Sequence, residues 1–263
     1  MIRAMYSAAS GMRAQEMNVD NIANNLANAN TVGYKTRRAQ FQDLMYQTVL
    51  QPGAAAGQQT VIPAGLQLGL GTRPVSNEVV FTQGAFSQTE NPLDVVIQGS
   101  GFFQIQQPNG ELAYTRAGQF QLDRNGNLVT AAGNPVQPQI TIPPTAQKVT
   151  IAADGTVSYS LPNQTAAQQA GQIQLANFQN PAGLNSLGNG LFTPTEASGD
   201  ATLGNPGGAE GLGSLLQGYV EQSNVSIVDE FVNMIQAQRG YEANSKVVTA
   251  ADNMYQQVNN LSR

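Results

Sequence analysis

Apolar residues recur every seven positions at both ends of this chain, and the recurrence is long each time. Met5, Met12, Val19 and Leu26 keep the interval near the start, with Ile2, Ala9 and Ala23 between them. Ile227, Met234, Tyr241, Val248 and Tyr255 keep it near the end, flanked by Phe231 and extended by Ala251, Val258 and Leu261. A seven-residue interval holds one helical face toward a partner, so the pattern predicts a long helix at each terminus. Two stripes in one chain are most simply buried against each other, as a coiled-coil-like, discontinuous domain. Ser226 with Asp229 reads as a capping-box start for the second helix, and Gly33 stands where a C′ glycine would end the first. Such a pair buries one seam and leaves its other faces wet, which is thin for a self-sufficient core.

The middle of the chain changes period. "GFFQIQQ" alternates with Phe103 and Ile105 on one face, and "ELAYTRAGQFQLD" does the same with Leu112 and Tyr114, then Phe120 and Leu122. Asn109-Gly110, Asn125-Gly126 and Asp154-Gly155 fall between such runs as hairpin signals. The fold class expected is α+β: terminal helices paired around a central antiparallel β-rich domain. The divisions are 1–45 for the first helical segment, 46–72 for an extended linker, 73–206 for the β domain and 207–263 for the second helical segment. A short additional helical patch is expected in "RRAQFQDLMYQTVL", with Phe41, Leu44 and Met45 on one side.

Composition removes whole classes of function. His and Cys are absent, which excludes Ser-His-Asp, Cys-His and zinc-thiolate chemistry. Charged residues make up 11% of the chain against about 25% in ordinary soluble proteins. The polar surface is therefore amide and hydroxyl, and like copies can approach with little repulsion. A net charge of −5 argues against a nucleic-acid partner. The densest basic spot, "KTRRAQ" at Lys35 to Gln40, reads as a solvated or interface patch. No run approaches the ~20 apolar residues of a membrane span, and the N-terminus lacks the apolar core of a cleaved secretory signal.

Two apparent motifs are set aside. "GSGFFQ" lacks the third glycine of a dinucleotide fingerprint and is followed by strand alternation, not by the helix that phosphate binding needs. "DRNGN" lacks the distal glutamate of a calcium loop and reads as a hairpin turn. No cofactor, metal or small-molecule substrate is expected.

One stretch resists the plain helix reading. Five of the ten residues from Asn21 to Asn30 are asparagine, which weakens a helix by up to about 0.7 kcal/mol per residue relative to alanine. Asn21, Asn24, Asn25 and Asn28 fall at offsets of three and four, along one face. An amide stripe can fix register against a neighbouring helix, or it can simply be solvated; the residues leave both readings open.

Several long segments have company elsewhere. "AASGMRAQEMNVDNIANNLANANTVGYKTRRAQFQDL", "NPLDVVIQGSGFFQI", "AYTRAGQFQLDRNGNLVT" and "GYVEQSNVSIVDEFVNMIQAQRGYEANSKVVTAADNM" resemble the rod-and-hook family of bacterial flagellar axial proteins. The stretch "LMYQTVLQPGAAAGQQTVIPAGLQLGLGTRP" is similar to one that marks the distal-rod members. The resemblance implies a structural, non-enzymatic subunit that self-assembles helically into a straight, hollow drive shaft and passes torque from motor to hook. It implies passage through the flagellar export apparatus without a cleaved signal. It also implies contact with further copies, proximal rod proteins, the hook protein and the P- and L-ring proteins, between periplasm and outer membrane. The terminal helices would form the inner tube. The self-assembly interface expected on this basis comprises Met5, Met12, Val19, Asn21, Asn24, Asn25, Leu26 and Asn28 on the first helix. On the second it comprises Ile227, Phe231, Met234, Tyr241, Val248, Val258 and Leu261. A hook or proximal-rod subunit, and an exported β-rich binding module or adhesin, remain the alternatives at this point.

Overall fold

The computed structural model describes residues 2–52, 64–162, 166–208 and 211–261, the side chain of Leu261 excepted. Helix α1 spans Ile2–Ala27 and helix α2 spans Ile227–Leu261, with β-strands between them. Chain contacts divide the molecule into two compact units. One, the helical unit, comprises Met1–Ala27, Arg37–Glu78 and Ser226–Arg263; the other, the β unit, comprises Asn28–Thr36 and Val79–Val225. No described helix is long and apolar enough to cross a membrane.

In the helical unit α1 and α2 pack against each other, and α1 also meets strand β1, Arg37–Asp43. The helices run antiparallel: a methyl group added at Gly11 would lie 2.8 Å from Asn244, and one at Gly240 would lie 3.2 Å from Gln15. Small residues at the seam let the two backbones approach this closely. Ser226 starts α2 as its sequence suggests, its hydroxyl accepting from the Asp229 N–H at 3.4 Å. Gly33 does not end α1, which stops at Ala27. The glycine sits six residues on, buried in the β unit at φ 71°.

The helical patch expected after Arg37 is instead strand. β1 is followed by β2 (Tyr46–Leu50), β3 (Leu66–Gly69) and β4 (Thr72–Val79). β1 pairs with β4 and β2 pairs antiparallel with β3. Phe41 and Met45, expected on a packed helical face, are exposed. Pairing with a distant strand overrides local periodicity here, and the expected linker supplies two of the partners. Residues 53–63 of that linker lie outside the described residues.

The β unit is built on a sheet whose strands run in the order Asn185–Gly188, Leu191–Thr193, β8 (Leu112–Thr115), β7 (Phe102–Gln106), Leu175–Asn177 and Thr202–Gly204; Val136–Gln137 also pairs with β7. Strand β7 is buried on both sides. Phe103 and Ile105 enter one apolar cluster with Phe120, Leu128, Val136 and Ile173, as their shared parity predicts. Phe102 enters the other cluster with Tyr114, Phe178 and Phe192. The aromatic rings meet edge to face, Phe103 with Phe120 at 5.0 Å and Tyr114 with Phe178 at 4.9 Å between centroids, the geometry that ring quadrupoles favour. All three hairpin turns form, with Gly110, Gly126 and Gly155 at positive φ. At Gly126 no other residue fits, because a methyl group would also lie 2.1 Å from the Ile142 carbonyl oxygen. In "DRNGN" the Asp123 carboxylate accepts from the N–H groups of Asn125 and Asn127, which holds its pKa below the usual carboxylate range.

The segment expected to begin the second helical zone also belongs to this unit. Ser214–Gln217 and Tyr219–Glu221 are strands, paired with β6 (Val95–Gln98) and β5 (Phe86–Gln88). Their sequence, "SLLQGYVE", buries Leu215 in the cluster of Phe103 and Phe120, and buries Val220 as well. Helix α2 therefore begins only at Ile227.

Candidate assembly surface

The two seven-residue stripes divide in the structure. On α1, Met5, Met12, Val19 and Leu26 are all half-buried, while the fully buried positions are Ala8, Ala14, Ile22 and Asn25. On α2, Met234 and Val248 are half-buried, whereas Ile227, Phe231, Tyr241 and Val258 are exposed; Leu261 lies outside the described side chains. The residues α2 buries are Glu230, Ala237 and Ala251, with Asn244 half-buried between them. That is a second seven-residue series. Because it is built from two alanines, a carboxylate and an amide, counting large apolar residues does not reveal it.

What α2 leaves outside is the more informative face. Ile227, Val228, Phe231, Val232 and Ile235 fall at offsets of one, four, five and eight, and every one is exposed, Val228 to 72%. Those offsets place them on a single helical face. An α-helix with a buried seam and a second, outward apolar stripe is unfinished in the isolated chain, since contiguous apolar surface of this kind marks a contact site. Val228, Val232 and Ile235 were not expected from the interval of seven, which selects only Ile227 on that face together with the flanking Phe231. Most other exposed large apolar side chains also belong to the helical unit, among them Tyr6, Met45, Tyr46 and Leu66, while the β unit exposes few.

The asparagines do specific work inside the chain. Asn25, 1% exposed, accepts from the Arg37 N–H at 2.9 Å and donates its Nδ2 to the Arg37 carbonyl at 2.9 Å and to Glu230 Oε1 at 3.2 Å. One amide thereby joins α1, β1 and α2. Asn21 accepts from Asn77 Nδ2 at 2.8 Å, linking α1 to β4, and Asn28 accepts from the Thr31 hydroxyl at 3.2 Å. Asn24 is exposed. The helix penalty of asparagine is thus offset at position 25 by three hydrogen bonds that no alanine can make. Asn25→Ala strands the Arg37 N–H and C=O, and each unsatisfied buried group costs ~1–3 kcal/mol. We expect about 2–4 kcal/mol lost from the helical unit, read by urea titration of the helical circular dichroism.

A second buried polar centre lies in the β unit. Lys35 Nζ meets Glu221 Oε1 at 2.5 Å, and Arg116 Nε meets Glu221 Oε2 at 3.1 Å, with Lys35 and Glu221 side chains wholly buried. Glu221 Oε1 also accepts from the Gly84 N–H, while Lys35 donates to the Thr82 carbonyl. Arg116 Nη1 donates to the carbonyls of Gly99 and Gly101, the tight glycine pair of "GSGFFQ". Asn224 Oδ1 accepts from the Thr36 N–H and hydroxyl, and its Nδ2 donates to the carbonyls of Val80 and Thr82. Burial pushes the Lys35 ammonium below the usual lysine pKa, with the Glu221 charge opposing that shift. Of the basic spot expected to be a solvated or interface patch, Lys35 is instead buried inside the β unit, while Arg38 is exposed.

Three family descriptions match this chain. Residues 5–35 match the flagella basal body rod protein family, residues 96–159 the flagellar hook protein FlgE/F/G D1 domain, and residues 216–261 the flagellar basal body rod FlgEFG protein C-terminal family. Over 261 residues the chain is 49% identical to the flagellar basal-body rod protein FlgG of Buchnera aphidicola subsp. Schizaphis graminum, covering 99% of this chain and 100% of that protein. It is 46% identical to FlgG of Borreliella burgdorferi, with 100% of both chains covered, and 40% identical to FlgG of Bacillus subtilis, again over both full lengths. The chain belongs to the flagellar basal-body rod protein family. Its function is that of a structural subunit of the distal rod, an axial part of the flagellum and of the machinery of motility. Two of the three matched segments, residues 5–35 and 216–261, span most of the two helices.

Proposed function

We propose that this rod subunit self-assembles through its helical unit, with the outward stripe of α2 as the principal contact between copies. The observation that carries this reading is the exposed series Ile227, Val228, Phe231, Val232 and Ile235 on a helix whose opposite side is already packed. The product is a straight, hollow, helical shaft, its inner wall made by α1 and α2 paired in coiled-coil fashion. The half-buried members of the expected set, Met5, Met12, Val19, Leu26, Met234 and Val248, line the seam within a subunit. Ile227, Phe231, Tyr241 and Val258 face neighbouring copies.

In this reading the chain is not an enzyme and passes torque mechanically. It leaves the cell through the flagellar export apparatus without a cleaved signal and stands between periplasm and outer membrane. Its partners are its own copies, proximal rod proteins, the hook protein and the P- and L-ring proteins. An uncharged apolar stripe suits permanent burial between copies, because nothing charged has to be desolvated. A photo-crosslinking residue at Val232 tests the contact in flagellated cells. The expected result is a ladder of crosslinked copies of this chain; label that stays on single copies overturns the assignment of this face.

A further inference from the structure

We propose that the helical unit closes with uptake of a proton at Glu230. Glu230 lies in the first turn of α2 and is 7% exposed. Its Oε1 accepts from Asn25 Nδ2, and its Oε2 is buried without a hydrogen-bond partner. A carboxylate has lone pairs for about four donors, and this one receives a single amide bond. No cationic side chain acts on it, and the only positive field is the partial charge of the α2 N-terminus. Asp229, beside it on α2, carries the same sign. From α1 it faces the neutral Asn25 amide. The same Asn25 amide is also bound to the Arg37 backbone N–H and C=O on β1. None of the ion pairs among the described residues includes Glu230.

A buried carboxylate with one donor and no cation is a costly state, and the neutral acid is the less costly one. Burial, opposed by the Asn25 hydrogen bond and assisted by Asp229, raises the Glu230 pKa above the ordinary 4.5. The open, hydrated helix has no such penalty. A carboxyl with a higher pKa in the closed state binds its proton more tightly when closed. Closing is therefore favoured at acid pH and weakens as pH rises from the ordinary glutamate value through the raised one. This rests on the packing of α1 on α2 within one chain, not on contacts between copies, so its failure and that of the α2 contact face are separable.

The test follows helical circular dichroism of the full-length chain during urea unfolding at pH values from about 4.5 to 8. For the natural chain the closing constant falls by up to about tenfold per pH unit within the window, the slope of one proton. Glu230→Gln and Glu230→Met remove that component of the slope, and Asp229→Asn, which leaves Glu230 in place, retains it. The proposal is overturned if Glu230→Gln and Glu230→Met keep the slope of the natural chain, or if the natural chain shows none. A natural chain whose helical signal stays low at every pH has no slope and overturns it too. Should both neutral variants fail to close under acid conditions where the natural chain closes, a neutral side chain is not what the closed unit requires, and the proposal falls.

Discussion

Glu221→Ala should destabilise the β unit by about 3–5 kcal/mol or more, the range for breaking a buried ion pair by removing one partner. The upper part of the range applies because two cations share this carboxylate. Without Glu221, Lys35 and Arg116 stay buried beside each other as like charges, and the Gly84 N–H loses its acceptor. Lys35→Met should cost less, about 1–2 kcal/mol. It leaves a balanced Arg116–Glu221 pair, and the Thr82 carbonyl keeps its bond from Asn224. The order matters more than either value. Urea unfolding read by the near-ultraviolet tyrosine signal would show Glu221→Ala well below Lys35→Met, and equal losses would mean that the cluster is not held by its charge arrangement.

The position of this cluster explains why so large an effect is expected from residues that carry no chemistry. Lys35, Thr36, Val80, Thr82, Glu221 and Asn224 lie within a few residues of three of the four points where the chain passes between the β unit and the helical unit in sequence, those at Thr36, Val79 and Val225. Glu221 and Asn224 tie those segments to one another inside the β unit. Replacing such a network with apolar residues often preserves stability. What the polar version supplies is a single permitted arrangement of three chain segments that are far apart in sequence.

That cluster is also where sequence reading stops. The hairpins were legible because Asn-Gly and Asp-Gly turns and alternating Phe, Ile and Tyr are local signals, and β7 placed Phe103 and Ile105 together as their parity requires. The terminal helices were legible from their interval. Lys35, Arg116 and Glu221, in contrast, are charges in separate stretches of the chain, 186 residues apart at the extreme. Nothing periodic joins them, and the basic neighbours of Lys35 made it look solvated. The strand identity of Arg37–Asp43 and Tyr46–Leu50 was hidden for a related reason, since their partners, Thr72–Val79 and Leu66–Gly69, lie further along the chain. On α2 the interval found Met234, Val248 and Ala251 on the packed side but passed over Glu230, Ala237 and Asn244, which are small or polar, and it missed the outward Val228, Val232 and Ile235. Asn25 carried a visible signal, an amide where a helix prefers alanine, but only the structure gives it Arg37 and Glu230 as partners.

Placing charge on the outer face of α2 should abolish assembly while leaving the subunit folded. Phe231 and Ile235 are exposed by 49% and 57%, so Phe231→Glu with Ile235→Glu should change the stability of the isolated chain by less than about 1 kcal/mol. Burying each native side chain against another copy is worth about 1.5–3 kcal/mol, and the variant also asks a contact to desolvate two carboxylates. The combined loss corresponds to at least a hundredfold rise in the concentration needed for polymerisation, at 1.4 kcal/mol per factor of ten. Sedimentation of the purified variant should then find single subunits, and cells carrying it should not swim. The same charges at Leu112 and Leu122, exposed positions on the β unit, provide the comparison: the stripe reading requires them to be tolerated. If instead both pairs of changes abolish swimming equally, or the α2 pair leaves polymers intact, the contact between copies lies elsewhere. The exposed apolar stripe would then need another occupant, for the packing inside the subunit does not explain its composition.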